Sequence, residues 1–144
     1  MQNPVDLTIF DIIDVTPADP AAGTNVTFVV PIVARIQIIG VTFNLVTDAN
    51  VASRFPIVFA TPIARTFGLT GPTSPQTATQ NVTHHFSLTG SQSLLFAAQN
   101  LATVPLSASL ILRTGDILNI SIAGLQAGDQ ISSVLIRYKQ WIMR

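Results

Sequence analysis

The side chains able to do acid–base or nucleophilic chemistry are few in this chain: seven Asp, two His, one Tyr and the single Lys139, with no Glu and no Cys. His84 and His85 are sequence neighbours. On a strand they point to opposite faces, so they cannot form a two-ligand metal pair by themselves. His84 shares its parity with Val82, Phe86 and Leu88 and reads as a hydrogen-bonded histidine of a core or an interface. His85 reads as exposed, or as lying across from the same residue of a symmetry mate; protonation of either histidine at a subunit contact would weaken assembly.

Other chemistries lack their residues. No Gly-x-Ser-x-Gly elbow, phosphate-binding Gly loop or His-Glu-x-x-His motif is present. Asp48, Asp116 and Asp129 could meet in space as a carboxylate pair for glycoside hydrolysis. But Asp116 and Asp129 each follow a Gly in a turn, where an Asp carboxylate commonly accepts from its own backbone. The reading is therefore a non-enzyme, with no cofactor and no metal. Without cysteine there is no disulfide frame, and stability must come from the core and its contacts.

The elements that would position these residues are strands. β-branched runs alternate with turns of Gly, Pro, Asn and Asp, and helical patterning is almost absent. Strands are expected at 25–30, 33–46, 55–60, 82–88, 109–113, 117–122 and 131–142. Within 33–46 the apolar parity switches at Ile39-Gly40, as a β-bulge would require. Pro56 favours an edge or a strand start. Residues 68–77 read as a long surface loop, and 92–98 as either a strand or a helical turn. In the last strand, Val134, Ile136, Tyr138 and Ile142 are the core candidates. Ile131, Ser133, Leu135, Arg137, Lys139 and Trp141 fall on the other face. Trp141 beside cations suits a contact anchor, or it closes one end of the body.

About eight short strands separated by turn signals predict an all-β fold, an antiparallel, jelly-roll-like β-sandwich. Residues 1–20 read as an extended N-terminal arm that holds at most a short strand, and 21–144 as a single domain, the size 144 residues allow. The N-terminus lacks the cationic and apolar regions of a signal peptide. No run of about twenty apolar residues could span a bilayer.

Composition narrows the role. Charged residues make up only 10% of the chain, against about 25% in an average domain. The polar surface must be Thr, Ser, Asn and Gln, which cost less to desolvate than full charges. Two readings follow: a body that buries apolar surface against copies of itself, or a well-packed sandwich with a Ser/Thr-coated exterior. A net charge of zero argues against a nucleic-acid partner. Asp6, Asp11, Asp14 and Asp19 precede any basic residue, and the remainder carries a balance of +4. The acidic arm is either an element that meets a mildly basic body, its own or a neighbour's, or a solvated segment.

Three segments carry a resemblance: residues 42–54 (TFNLVTDANVASR) with the later Gln76-Thr77-Ala78; residues 112–118 (LRTGDIL); and residues 125–134 (LQAGDQISSV). They look like segments of small β-sandwich virion proteins of tailed bacteriophages. The resemblance implies a capsid decoration or cement protein located on the virion and made in the host cytoplasm. Its expected partners are copies of itself, as a homotrimer, and the major capsid protein of the same virus. It makes residues 1–20 a tether; together with the charge and parity patterns above, the assembly contacts expected are Asp6, Asp11, Asp14, His85, Arg137, Lys139 and Trp141. The chain departs from such proteins in ending on Lys139, Trp141 and Arg144 rather than on acidic residues. The alternatives are a receptor- or glycan-binding jelly-roll module of a phage fibre, and a single-jelly-roll coat protein.

Overall fold

A computed structural model describes residues 9–31, 35–61, 67–70, 75–88, 94–96, 100–106 and 110–141. Its strands are β1 (Phe10–Val15), β2 (Val26–Val29), β3 (Arg35–Val46), β4 (Phe55–Thr61), β5 (Phe67–Thr70), β6 (Asn81–Ser87), β7 (Leu94–Phe96), β8 (Leu101–Pro105), β9 (Ile111–Arg113), β10 (Ile117–Ala123) and β11 (Gln130–Trp141). One sheet runs β1-β11-β3-β6-β8-β7, with β9 pairing the start of β3; the other runs β2-β10-β4-β5. The paths β1-β11-β3-β6 and β2-β10-β4-β5 interleave the chain in the double Greek key of a jelly roll. The expected all-β sandwich is therefore the observed one. Its eight jelly-roll strands are joined by three more, β7, β8 and β9, inserted between β6 and β10.

Alternation builds the core. Ile36, Ile38, Val41, Phe43 and Leu45 of β3 pack with Val58 and Ala60 of β4 and Leu118, Ile120 and Ile122 of β10. Each of these ten side chains is buried, and removing such aliphatic area from water contributes about 1.5–3 kcal/mol per large side chain. In β3 the switch of parity falls where it was expected. Arg137 pairs with Gly40 and Tyr138 with Ile38, so Ile39 is the extra residue of a bulge.

A second bulge corrects the reading of β11. The register slips between Ser132 and Leu135, and Ser133 takes φ 53°. The slip turns Ile131 inward with Val134, Ile136 and Tyr138, so Ile131 belongs to the core and not to the face of Arg137 and Lys139. Asp19 Oδ1 accepts the N–H of Ser133 at 2.8 Å and fixes the bulge.

The loop expected at 68–77 is also corrected. It contains the end of β5, which pairs with β4, and a bridge between Gln76 and Arg54. Pro56 begins a strand that lies inside its sheet, opposite Ile122 and beyond the last residue paired with β5. Of the ambiguous 92–98, Leu94–Phe96 is strand and the rest lies outside the described residues, as do Asp6 and Ile142. The described part of the N-terminal arm, residues 9–20, contains β1, the outer strand of the larger sheet, with Ile13 and Val15 packed against the core. Among the described residues no helix is long and apolar enough to cross a membrane.

Candidate functional site

The groups that could meet a partner converge on the outer face of the seven-stranded sheet. Antiparallel pairing sets Phe10 opposite Trp141, Ile12 opposite Lys139 and Asp14 opposite Arg137. Because same-face residues recur every second position, these six side chains share one surface with Thr42 and Asn44 of β3 and Thr83 and His85 of β6. Thr42 pairs with His85, and Asn44 with Thr83.

A groove of about 510 Å³ runs over β1, β11, β3 and β6. Phe10 and Ile12, 40% and 51% exposed, form one side, and Leu88 and Ser87 border the other. Gly40 leaves its floor low: a Cβ there would sit 3.8 Å from the Cβ of Arg137. Arg137 donates from Nε and Nη2 to the two carboxylate oxygens of Asp14, both at 2.7 Å. These hydrogen bonds hold the Asp14 carboxyl below its ordinary value and raise the guanidinium of Arg137. Lys139 places its ammonium 4.1 Å from the centre of the Phe10 ring, a cation–π contact. His85 Nδ1 shares a 2.7 Å hydrogen bond with the Thr42 hydroxyl.

A second groove of about 420 Å³ continues from Thr42 over Asn44, Asn81, Thr83, Asn100 and Ser133. Apart from Phe43, which also borders it, its side chains are neutral donors and acceptors.

Of the residues singled out from sequence, Asp14, His85, Arg137 and Lys139 are thus brought together. Trp141 lies beside them and not in the groove; the guanidinium of Arg35 covers its ring at 5.3 Å. Asp11 is exposed, opposite Gln140, and takes no part. The amides of Asn44, Asn81 and Asn100 were missed. The signal available for Asn44 and Asn81 was their outward parity on β3 and β6.

The other titratable clusters hold the fold together. At one end of the sandwich the connections β1–β2, β3–β4, β5–β6 and β10–β11 meet around Arg54, which is fully buried. Arg54 donates to Asp129 from Nε (2.9 Å) and Nη2 (3.0 Å), to Asp48 Oδ1 from Nη2 (2.6 Å), and to the carbonyls of Asn50 and Ala52 from Nη1. The Asp129 bond strengthens proton binding on Arg54 against the opposing effect of burial. Burial works to raise the Asp129 carboxyl. The hydrogen bonds from Arg54 and from the backbone N–H groups of Gln126 and Asp48 outweigh it and bring the pKa below the ordinary value.

Asp48 and Asp129 therefore do meet, but around a buried cation that occupies the space between them. Both carboxylates are engaged in holding Arg54. Asp116 accepts from the N–H of Arg113 and Asp129 from that of Gln126, the turn roles expected of both. His84 is buried, stacked on Phe43 at 5.3 Å, and bonded through Nε2 to Gln76 Oε1 at 2.8 Å. No group of three or more metal-binding side chains forms among the described residues.

The chain matches no family model, no curated protein and no solved structure.

Proposed function

We propose that this chain is a structural virion protein of the capsid decoration or cement kind: a jelly-roll clamp that assembles with copies of itself, as a trimer, on a bacteriophage head and stabilises the shell. One observation carries the self-assembly. The outer face of the four-stranded sheet presents Val29, Phe55, Ile57, Phe59 and Ile117, with Thr27, Thr61, Asn119, Ser121 and Ala123 between them. No charged residue falls on this face among the described residues of β2, β10 and β4. Val29 is 57% exposed and Phe55 37%. An uncharged face on which aromatic and aliphatic side chains alternate with Ser, Thr and Asn has the charge-depleted composition of an interface centre.

Two further features agree with the reading. Sequence segments resemble those of phage virion proteins, and a stiff sandwich suits a clamp repeated over a lattice, where many modest contacts add as avidity. Binding the assembled shell and not its free subunits would stabilise the shell by mass action. The test is the absolute mass of the purified chain by light scattering over a tenfold range of concentration. The expected result is a stable species at three times the chain mass of 15.4 kDa, which then binds empty capsids. A monomer at every concentration overturns it.

A further inference from the structure

We propose that the outer face of the seven-stranded sheet, opposite the surface assigned to self-assembly, is a binding site for an extended acidic glycan. The two grooves described above meet at Thr42 and form one continuous track. Along it the chemistry changes from neutral and hydrogen-bonding to cationic and apolar.

The neutral half selects the ligand class. Thr42, Asn44, Asn81, Thr83, Asn100 and Ser133 line it, and each amide or hydroxyl can both donate and accept. Sugar hydroxyls have the same dual character. The backbones of Thr42, Asn44, Asn81 and Thr83 are fixed by the ladder of β3 with β6, so only their side-chain rotamers remain to be ordered on binding. A nucleic acid would instead need a basic footprint, and of the basic residues on this face only Arg137 and Lys139 line the track, Arg137 already paired with Asp14.

The cationic half adds a preference for a carboxylate. Arg137 is held in its fork with Asp14. Lys139 has no carboxylate partner among the described residues, and its ammonium is held over the Phe10 ring. A carboxylate on the ligand would complete that charge with a charge-assisted hydrogen bond. The remaining exposed surface of Phe10 and Ile12 can cover the C–H face of a sugar ring. Gly40 in the groove floor keeps the approach open.

The site is tested by ¹H–¹⁵N NMR titration of the intact chain with three probes. These are a hyaluronan hexasaccharide, which alternates glucuronate with N-acetylglucosamine, the neutral cellohexaose, and acetate. Expected are saturable shifts at Thr42, Asn44, Thr83, His85 and Lys139 with hyaluronan, and binding about tenfold weaker for the neutral oligosaccharide, the worth of one charged hydrogen bond. Lys139→Gln should bring hyaluronan to the neutral level. Asn44→Ala should weaken both oligosaccharides, and Val29→Lys on the opposite sheet should change neither. Absence of saturable shifts with hyaluronan, shifts confined to another surface, or the same shifts from acetate alone would each overturn the proposal.

Discussion

Arg54 and Asp129 form a two-bond ion pair in which neither side chain reaches solvent, although 75 residues separate them in the chain. With Asp48 on its outer side, the pair ties the β3–β4 and β10–β11 connections to a single cation, and backbone hydrogen bonds join the β1–β2 and β5–β6 connections to them. Removing one partner of such a pair leaves an uncompensated buried charge, which costs about 3–5 kcal/mol. Arg54→Met and Asp129→Asn are each expected to lose on that order in urea unfolding. Asp48→Asn should lose less, because Asp48 is partly exposed and Asp129 stays in place. Losses below about 1 kcal/mol for Arg54→Met would mean that the connections are held by their backbone hydrogen bonds alone.

His84 gives the fold a defined acid weakness. Gln76 Nε2 donates to the carbonyls of Leu45 and Gln80, so its Oε1 is the acceptor and His84 Nε2 carries the proton. Nδ1 is buried and without a partner among the described residues, so protonation there would bury an unpaired N–H beside Phe43. Burial pushes the His84 pKa down to about 4 from an ordinary 6.5. The unfolded chain thus binds the proton first as pH falls. Stability is full above about pH 6.5 and declines between there and about pH 4, by on the order of 3 kcal/mol. Urea midpoints at intervals from pH 7.5 to 4 should show that slope, and His84→Gln should flatten it. An unchanged slope in the variant would assign the acid loss elsewhere. The Asp129 carboxyl acts in a lower window, below its unfolded pKa of about 3.9.

The strands could be read because a period of two is written in the apolar residues themselves. The bulge at Ile39 was legible for the same reason: Ile38 and Val41 are both apolar, so the switch of parity shows. The bulge at Ser133 was not, since Ser132 and Ser133 are polar whichever way they point, and Ile131 was assigned to the wrong face. Arg54 gave no sign of its burial because its partners are supplied by distant connections. β5 was hidden among Gly, Pro, Ser and Thr. Of the outer-face site, His85, Arg137 and Lys139 were identifiable as polar residues of definite parity, and Asp14 only as one of the acidic residues clustered in the arm. Their convergence depends on β1 pairing with β11 and β3 with β6, which no local pattern encodes.

Two glycines with similar backbones should respond differently to alanine. Gly124 (φ +80°) and Gly115 (φ +85°) both occupy left-handed conformations, which cost an alanine on the order of 1 kcal/mol. At Gly115 a Cβ meets nothing within 4 Å, so Gly115→Ala should lose only that conformational term. At Gly124 the Cβ would fall inside the contact distance of the Ser53 carbonyl oxygen, a backbone atom next to Arg54. Gly124→Ala must therefore displace the connection that carries Arg54, and a loss of about 3 kcal/mol or more in thermal unfolding is expected. Equal losses at the two positions would show that the β3–β4 connection yields without disturbing the Arg54 contacts.

Assembly through the four-stranded sheet predicts a separation of association from folding. Val29 and Phe55 stand at the outer strand β2 and at the start of β4, each more than a third exposed, so a lysine there can keep its charge in water and leaves the core untouched. Val29→Lys and Phe55→Lys should unfold within about 0.5 kcal/mol of the parent when both are compared as monomers at low concentration. In the assembled state each lysine would be buried once per copy against an uncharged face, with no carboxylate from the described residues of that face to meet it. Repetition around a symmetric contact multiplies that cost. Light scattering should therefore find the variants as single chains at concentrations where the parent is a trimer. If the parent and both variants share one mass above that of a single chain, the contact lies elsewhere, and the seven-stranded sheet becomes the surface to substitute next.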